Sequence, residues 1–454
     1  MTSILDAPRR IPTVSEPPLI GSLFALRKNP LDFVRRVVLE CGDAGRFHLG
    51  PIGGVVFSSS ATVQGVLVDK ADAFDKGTLT VRAYHTAHSD PVLIEEGAQH
   101  RQQRAILDQH FRPESLALYA GIMAAQAEQA VSTWQDGAVV DIQQQMMALT
   151  LPLMGKILFD IDGLSEDDSF ARALTLVPEY LATAVKSPVL LPLWVPTPKN
   201  NRVRRAVRII ERRIQVLIDD RRGRDLRSSR DLLTVMLAAR DAAGNRLEDA
   251  QIRDDAVEIF NAGRENVAAA LAWCLFLLAQ HPEVSTAVHN EVRGVLQGRP
   301  PEYSDLTRLP FTLQVVKETL RLYPPVYLML PRRALHDLEI DGYPVAKGEI
   351  VLVSPYAMHH RADYFPEPDR FDPERFTPRA EDALPPHAFM PFGAGPHSCL
   401  GEGFALMEAQ FILATVVQRV TFALVEGPTV VPDPALVLLQ REGCRLTVRH
   451  HSDA

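Results

Sequence analysis

Cysteine is scarce in this chain. Its 454 residues contain four, Cys41, Cys274, Cys399 and Cys444, far apart and with no CxxC pair. That excludes a disulfide-stapled scaffold and a clustered zinc site, and points to a reducing cytoplasm. A long apolar run is missing at the N-terminus, where MTSILDAPRRIPTVSEPPLIGSLFALRKNP is broken by prolines and charges. A bilayer span needs about 20 consecutive apolar residues, and no signal-peptide core is present either, so the expectation is a chain without a membrane span. Positive charge is not in excess: the net charge is -8, which argues against nucleic-acid binding. No GxGxxG fingerprint of a bound flavin or nicotinamide occurs. Internal repeats and low-complexity tracts are absent too.

What is present is an ordinary apolar fraction, 46%, enough for a large core. The run Phe47 to Ser60, FHLGPIGGVVFSSS, reads as a hairpin about a Pro-Gly-Gly turn. From there to residue 330 the pattern is helical. Ser187 to Asn200 is apolar with four prolines, which excludes a regular helix or a central strand. A sharper reading, set against the plain one of a solvated arginine face after it, makes the loop a mobile lid over a lipophilic site. The arginine-rich run after it places Val203, Val207, Ile210 and Val216 on one helical face, with the arginines as a solvated face. Past residue 340 short β-type runs alternate with proline-rich loops, and a last helix starts near Cys399 and runs to about Val417. No Gly/Ser linker divides the chain, so residues 1–454 are expected to form a single domain, mostly α with a smaller β lobe (α+β).

The most specific stretch is Phe392-Gly393-Ala394-Gly395-Pro396-His397-Ser398-Cys399-Leu400-Gly401. Its glycines permit tight turns and close approach to a bulky group. The helix-forming sequence after Cys399 places the sulfur near a helix N-terminus, which favours a thiolate. A lone cysteine in a glycine loop reads equally as an inert buried thiol. The ten-residue pattern as a whole resembles the haem-binding loop of the cytochrome P450 superfamily. The resemblance implies the cytochrome P450 haem-thiolate fold and haem b ligated by Cys399, with Phe392, Gly393, His397 and Gly401 among the residues that hold the cofactor.

Further motifs stand in the order that family shows. Glu318 and Arg321, in FTLQVVKETLRLYPP, share a helical face. The resemblance joins them to Arg375 of Pro373-Glu374-Arg375-Phe376 as a structural trio. His100 and Arg104, four apart in EEGAQHRQQRAIL, also share a face. With Arg332 and His397 they are expected, by resemblance, to reach the haem propionates, where charge-assisted hydrogen bonds are apt. The expected substrate pocket is lined by Tyr84, Ala262, Val326, Tyr327, Leu328, Leu438 and Leu439, and its apolar character points to a small lipophilic metabolite.

The segment DAQIRDDAVEIFNAGRENVAAALAWCLFLLAQHPEV reads as one helix, capped at Asp249 and about 45–50 Å long. Its middle holds a polar island, Ala262-Gly263-Arg264-Glu265-Asn266, matching the oxygen-binding kink of the family's long helix. Gly263 would admit a ligand to the helix backbone. The family usually has an acid followed by threonine. Here Glu265 is followed by Asn266, whose amide hydrogen-bonds but does not readily relay a proton. Three readings stay open. Asn266 positions oxygen while Glu265 and water carry the proton; or the substrate arrives already activated, as a hydroperoxide or an N–O bond; or the amide recognises a polar group on the substrate. The Arg-Pro pair of the peroxide-using branch is absent.

The resemblance therefore implies a soluble, cytoplasmic, monomeric monooxygenase with Glu265 and Asn266 in catalysis. Electrons would come from external NAD(P)H through a ferredoxin and its reductase. The alternative is a haem-thiolate catalyst of rearrangement or atom transfer. If Asn266 only positions oxygen and water, Asn266→Thr keeps turnover under reductant and dioxygen; loss of turnover with haem and substrate binding intact would exclude that role.

Overall fold

The computed structural model describes residues 9–15, 21–49, 52–77, 81, 91–165, 168–186, 193–223, 231–241, 243–427 and 429–451. Helices of seven or more residues among them are α1 (Pro30–Cys41), α2 (Gly97–Leu107), α3 (Ala120–Ser132), α4 (Ile142–Phe159), α5 (Ser169–Lys186), α6 (Pro198–Arg222), α7 (Leu232–Ala238), α8 (Asp249–Gln280), α9 (Pro282–Leu296), α10 (Pro310–Leu322) and α11 (Glu402–Arg419). The strands are β1 (Ala44–Leu49), β2 (Ile52–Phe57), β3 (Phe74–Asp75), β4 (Val139–Asp141), β5 (Arg332–Ala334), β6 (Leu338–Ile340), β7 (Tyr343–Val345), β8 (Ile350–Val353), β9 (Val420–Leu424), β10 (Pro432–Pro434), β11 (Leu438–Gln440) and β12 (Arg445–His450). The chain divides into two compact units. One comprises Met1–Arg82, Arg321–Arg370 and Pro378–Cys399; the other comprises Ala83–Leu320, Phe371–Thr377 and Leu400–Ala454.

The first unit is built on a sheet of order β1-β2-β8-β5-β3. The expected hairpin is its edge: β1 and β2 pair antiparallel, Leu49 opposite Ile52. Central β2 and β8 run parallel and bury consecutive residues, Val55, Val56 and Phe57 against Val351, Leu352 and Val353. Burial without alternation is the mark of strands covered on both faces. Beside the sheet lies Arg321, fully buried. Its Nη1 donates to the carbonyls of His359 (2.9 Å) and Pro368 (2.7 Å), its Nη2 to that of Arg370 (3.0 Å), and the guanidinium lies over the Phe365 ring. His359 accepts from the Met390 N–H at Nε2 (2.9 Å) and meets the Arg321 carbonyl at Nδ1 (3.2 Å). Nε2 is thus the acceptor, so Nδ1 carries the proton.

The second unit is mostly helical, with a β4-β12-β9 sheet and a β10-β11 ladder. Its spine is α8, 32 residues, buried along most of its length. Glu248 rather than Asp249 stands at the N-cap, and Asp249 is the first helical residue. This helix is long and apolar enough to cross a membrane, but 78% of its apolar window is buried inside the protein, so it serves as a core helix. Phe260 stacks on Phe159 of α4 at 5.9 Å, and the Trp273 indole donates to the Leu438 carbonyl (3.0 Å). A Cβ on Gly263 would stand 2.7 Å from Met154 Cε; the space the missing side chain leaves is used by α4. On α6 the buried stripe is Val203, Ala206, Ile210, Ile214 and Ile218. Val216 is 52% exposed, a correction to the expected face: thirteen residues from Val203 does not fit a 3.6-residue turn, whereas eleven does. Arg205, Arg208, Arg212 and Arg213 are solvated. Of the apolar segment expected as a lid, residues 187–192 lie outside the described residues. Glu318, fully buried at the end of α10, accepts from the Asp372 N–H (2.9 Å) and faces Arg375 Nε at 3.6 Å.

Arg321→Ala would leave three buried carbonyls without their donor. The expected cost is about 3 kcal/mol or more, read as a lower urea midpoint, and Arg321→Lys should not recover it because one ammonium cannot reproduce the fork. A loss below ~1 kcal/mol would show that other donors satisfy those carbonyls.

Candidate active site

Cys399 is exposed, whereas Cys274 and Cys444 are buried and Cys41 is half-buried. The loop that presents it is held from within. The Cys399 N–H donates to the Phe392 carbonyl (2.8 Å) and the Ser398 N–H to the Gly395 carbonyl (3.0 Å), closing a short turn at Gly395–His397. Gly393 and Gly395 have φ of +74° and +71°, a region other residues enter at a cost. Gly395 is required twice over: a Cβ there would stand 1.9 Å from the Leu67 carbonyl oxygen. Cys399 precedes by three residues the first residue of α11, whose N-cap is Gly401, where the helix dipole favours an anion.

The same unit gathers basic groups. His397 Nδ1 lies 2.9 Å from Lys76 Nζ. An ammonium only donates, so Nδ1 accepts and the imidazole proton sits on Nε2. Lys76 is 3% exposed. The register pairs Asp75 with Arg333, which places the next residue, Lys76, level with Arg332 of β5. Arg332 is buried and donates to the Leu330 carbonyl (3.1 Å). Val326 is exposed and Tyr327 and Leu328 are half-buried; the Tyr327 carbonyl accepts from Ser354 Oγ (2.7 Å).

In the second unit His100 is buried and Arg104 is half-buried one turn on. Arg104 pairs with Asp108 through Nε (2.7 Å). Leu438 is fully buried, while Leu439, facing the other way along β11, is half-buried. Tyr84 lies outside the described residues.

Between Ile252 and Ala279, α8 meets solvent-sized space only at Arg253, Glu258, Ile259, Ala262, Gly263, Glu265 and Asn266. Asn266 Nδ2 donates to the Ala262 carbonyl (2.9 Å), and its Oδ1 is buried without a partner among the described residues. Arg264 is buried, with Nη1 3.7 Å from Glu265 Oε1 and donating to Thr175 Oγ1 of α5 (3.3 Å). Burial raises the pKa of Glu265; Arg264 opposes the shift and Glu179 reinforces it. Burial also pushes Glu258 up to about 7, with the like charges of Asp255 and Glu265 adding to the effect. Asp255 is likewise pushed up by burial to about 7, against the bond its Oδ1 accepts from the Val92 N–H (2.8 Å).

Lys76, Asp255 and Glu258 were not singled out in the sequence. Lys76 meets His397 across 321 residues, a contact no local pattern encodes. Glu258 had a signal, the seven-residue spacing to Glu265 on one helix.

The family model of cytochrome P450 matches residues 12–448. Cyclooctat-9-en-7-ol 5-monooxygenase of Streptomyces melanosporofaciens is 33% identical over 91% of this chain and 89% of its own length. Pentalenene oxygenase of Streptomyces avermitilis is 30% identical over 88% and 89%. Among solved structures, the cytochrome P450DA heme domain superposes with a TM-score of 0.87 at 24% identity, covering 98% of each chain; that likeness is one of fold.

The residues present fit the haem such a family carries. An exposed thiol on a glycine turn suits a thiolate ligand to haem iron. Lys76, Arg332 and an Nε2–H on His397 are donors suited to carboxylates. Gly395→Ala should fold but hold less than about a tenth of the haem, because the loop must leave Leu67. The check is the haem-to-protein absorbance ratio beside Gly294→Ala, whose added Cβ meets nothing within 4 Å. Equal haem content in both would show that the loop tolerates the methyl group.

Proposed function

The chain belongs to the cytochrome P450 family, and from that premise we propose that its substrate is a terpenoid, hydroxylated or epoxidised with dioxygen. It is a haem-thiolate monooxygenase: haem b is its cofactor, and electrons reach it from NAD(P)H through a redox partner. Bound haem supplies reductive activation of dioxygen, one oxygen atom entering a lipophilic substrate and the other leaving as water. The observation that carries the reading is the Cys399 loop, whose positive-φ glycines, internal hydrogen bonds and exposed sulfur are what a thiolate ligand needs. The relatives named for cyclooctat-9-en-7-ol and pentalenene support the terpenoid class. Both are named as oxygenases, which favours the dioxygen reaction over the pre-activated-substrate alternative.

In this reading Cys399 would hold the haem iron through its thiolate, and Phe392, Gly393 and Gly401 would shape the loop about the cofactor. Lys76, Arg332 and His397, with His100 and Arg104, neutralise the propionates. Arg104 does so while already paired with Asp108, so its contribution is the smallest. Glu265 holds a proton at neutral pH more readily than an exposed carboxylate does, because burial disfavours its charge. Asn266 keeps one amide N–H on its own helix and presents an acceptor. The partner is a ferredoxin with its reductase, residues 1–454 form one catalytic domain, and the protein works as a cytoplasmic monomer.

Reconstitution with a surrogate ferredoxin and reductase under heavy dioxygen, with a panel of terpenoid alcohols and hydrocarbons, tests the assignment. The expected product carries one heavy oxygen atom. Turnover that continues without dioxygen, to an unlabelled product, would overturn it.

A further inference from the structure

Helix α8 carries a polar stripe that the reading above uses only at its end. Asp255, Glu258, Ala262 and Glu265 follow one another at spacings of three or four residues, and Asn266 stands four after Ala262, so they share one face. Beyond Asn266 the continuation, Ala269, Ala272, Trp273 and Phe276, is apolar and buried. At 1.5 Å per residue the stripe from Asp255 to Glu265 spans about 15 Å. A core helix has no packing reason to carry three carboxyls in line, each disfavoured there in its charged form.

Glu258 makes no hydrogen bond or ion pair among the described residues; burial and two like-charged neighbours act on it. A structural carboxylate in such a place is normally paired. Second, the stripe and the residue beside it hold acceptors, two of them amide oxygens, that have no donor among the described residues. Asn261, 8% exposed and standing between Glu258 (three residues before) and Glu265 (four after), has an unpartnered Oδ1. Asp255 Oδ2 and Asn266 Oδ1 are in the same condition. Buried acceptors of this kind are where ordered water is held, and the helix is accessible at Glu258, Ala262 and Glu265.

We propose that Glu258 acts through Glu265 as the second carboxyl of a proton relay along α8, fed from Asp255 and connected by water held on the amide oxygens of Asn261 and Asn266. The relay rests on the reading of Glu265 as proton source. Each step moves one proton and no electrons. The Glu258 carboxyl gives its proton to the nearest water of a hydrogen-bonded chain, the last water of that chain gives one to the Glu265 carboxylate, and Asp255 or solvent reprotonates Glu258. Electrons come from the reduced redox partner of the established reaction. The charged groups acting on the relay are Asp255 and Glu265 on Glu258, Asp254 and Glu95 on Asp255, and Arg264 with Glu179 of α5 on Glu265. Because Glu258 is held near neutrality, it can both give and take a proton at the pH of the cell.

Two measurements on the holoenzyme test this. In the resting enzyme with 13C-labelled glutamate, an infrared carboxyl band should titrate near pH 7 and vanish in Glu258→Gln; its persistence would overturn the assignment. Under turnover, Glu258→Gln should lower the product-to-peroxide ratio about ten-fold and raise the solvent isotope effect, while Glu258→Asp recovers most of the ratio. A normal ratio and isotope effect in Glu258→Gln, with Glu265→Gln impaired, would overturn the relay alone. Normal behaviour in both would overturn the underlying role of Glu265 and the relay with it.

Discussion

The geometry of the cysteine loop depends on one buried cation. Arg321 places a guanidinium where no water reaches it, and a charge so buried persists only when its donors are occupied. Three backbone carbonyls, from residues 359, 368 and 370, occupy them. The end of a short helix at His359 and the irregular chain at residues 368–370 are thereby given one arrangement. His359 carries the constraint onward: its Nε2 takes the Met390 N–H, two residues before the Phe392 carbonyl that holds the Cys399 amide. Position passes from helix α10 to the sulfur by hydrogen bonds to backbone, which leaves the side chains between free to vary.

The basic groups in the same unit are set by the sheet instead. Strand pairing is specified by register, and the β3–β5 register brings Lys76 level with Arg332. The bond from Lys76 fixes the His397 tautomer and so decides which imidazole nitrogen donates. A lysine placed here has an effect beyond its charge: an imidazole without that donor could present either nitrogen as acceptor.

The loop was legible because it is local. Its glycines, turn and cysteine lie within ten residues, and their pattern is complete in that stretch, although the second reason for Gly395, the Leu67 carbonyl, lies far away in the chain. The helix face that Glu318 and Arg321 share was legible from their spacing, and Arg375, which faces Glu318, only through family resemblance. Lys76 was invisible, since its meaning comes from a strand pairing and a contact 321 residues away. Val216 was misplaced because spacing was matched over too long an interval, where the drift of a 3.6-residue period decides the face. Gly263 was taken as space for a ligand; its partner, Met154, lies on another helix, and sequence periodicity does not say which helix crosses where.

The asparagine at position 266 and the acids before it answer one physical problem from two sides. A hydroxyl at that place could take and pass a proton; an amide cannot, and here its nitrogen is already committed to the helix backbone. What remains at position 266 is an acceptor oxygen that orders a donor. A carboxyl whose charged form is disfavoured by burial and by like neighbours keeps its proton at neutral pH and releases it when a stronger base forms nearby. Glu265 alone would do this once and then need replenishment across some 15 Å of core helix. A second carboxyl two helical turns away divides that distance into shorter steps that ordered waters can bridge. The departure from the usual acid–threonine pair is thus compensated along the axis of the same helix rather than at the neighbouring position.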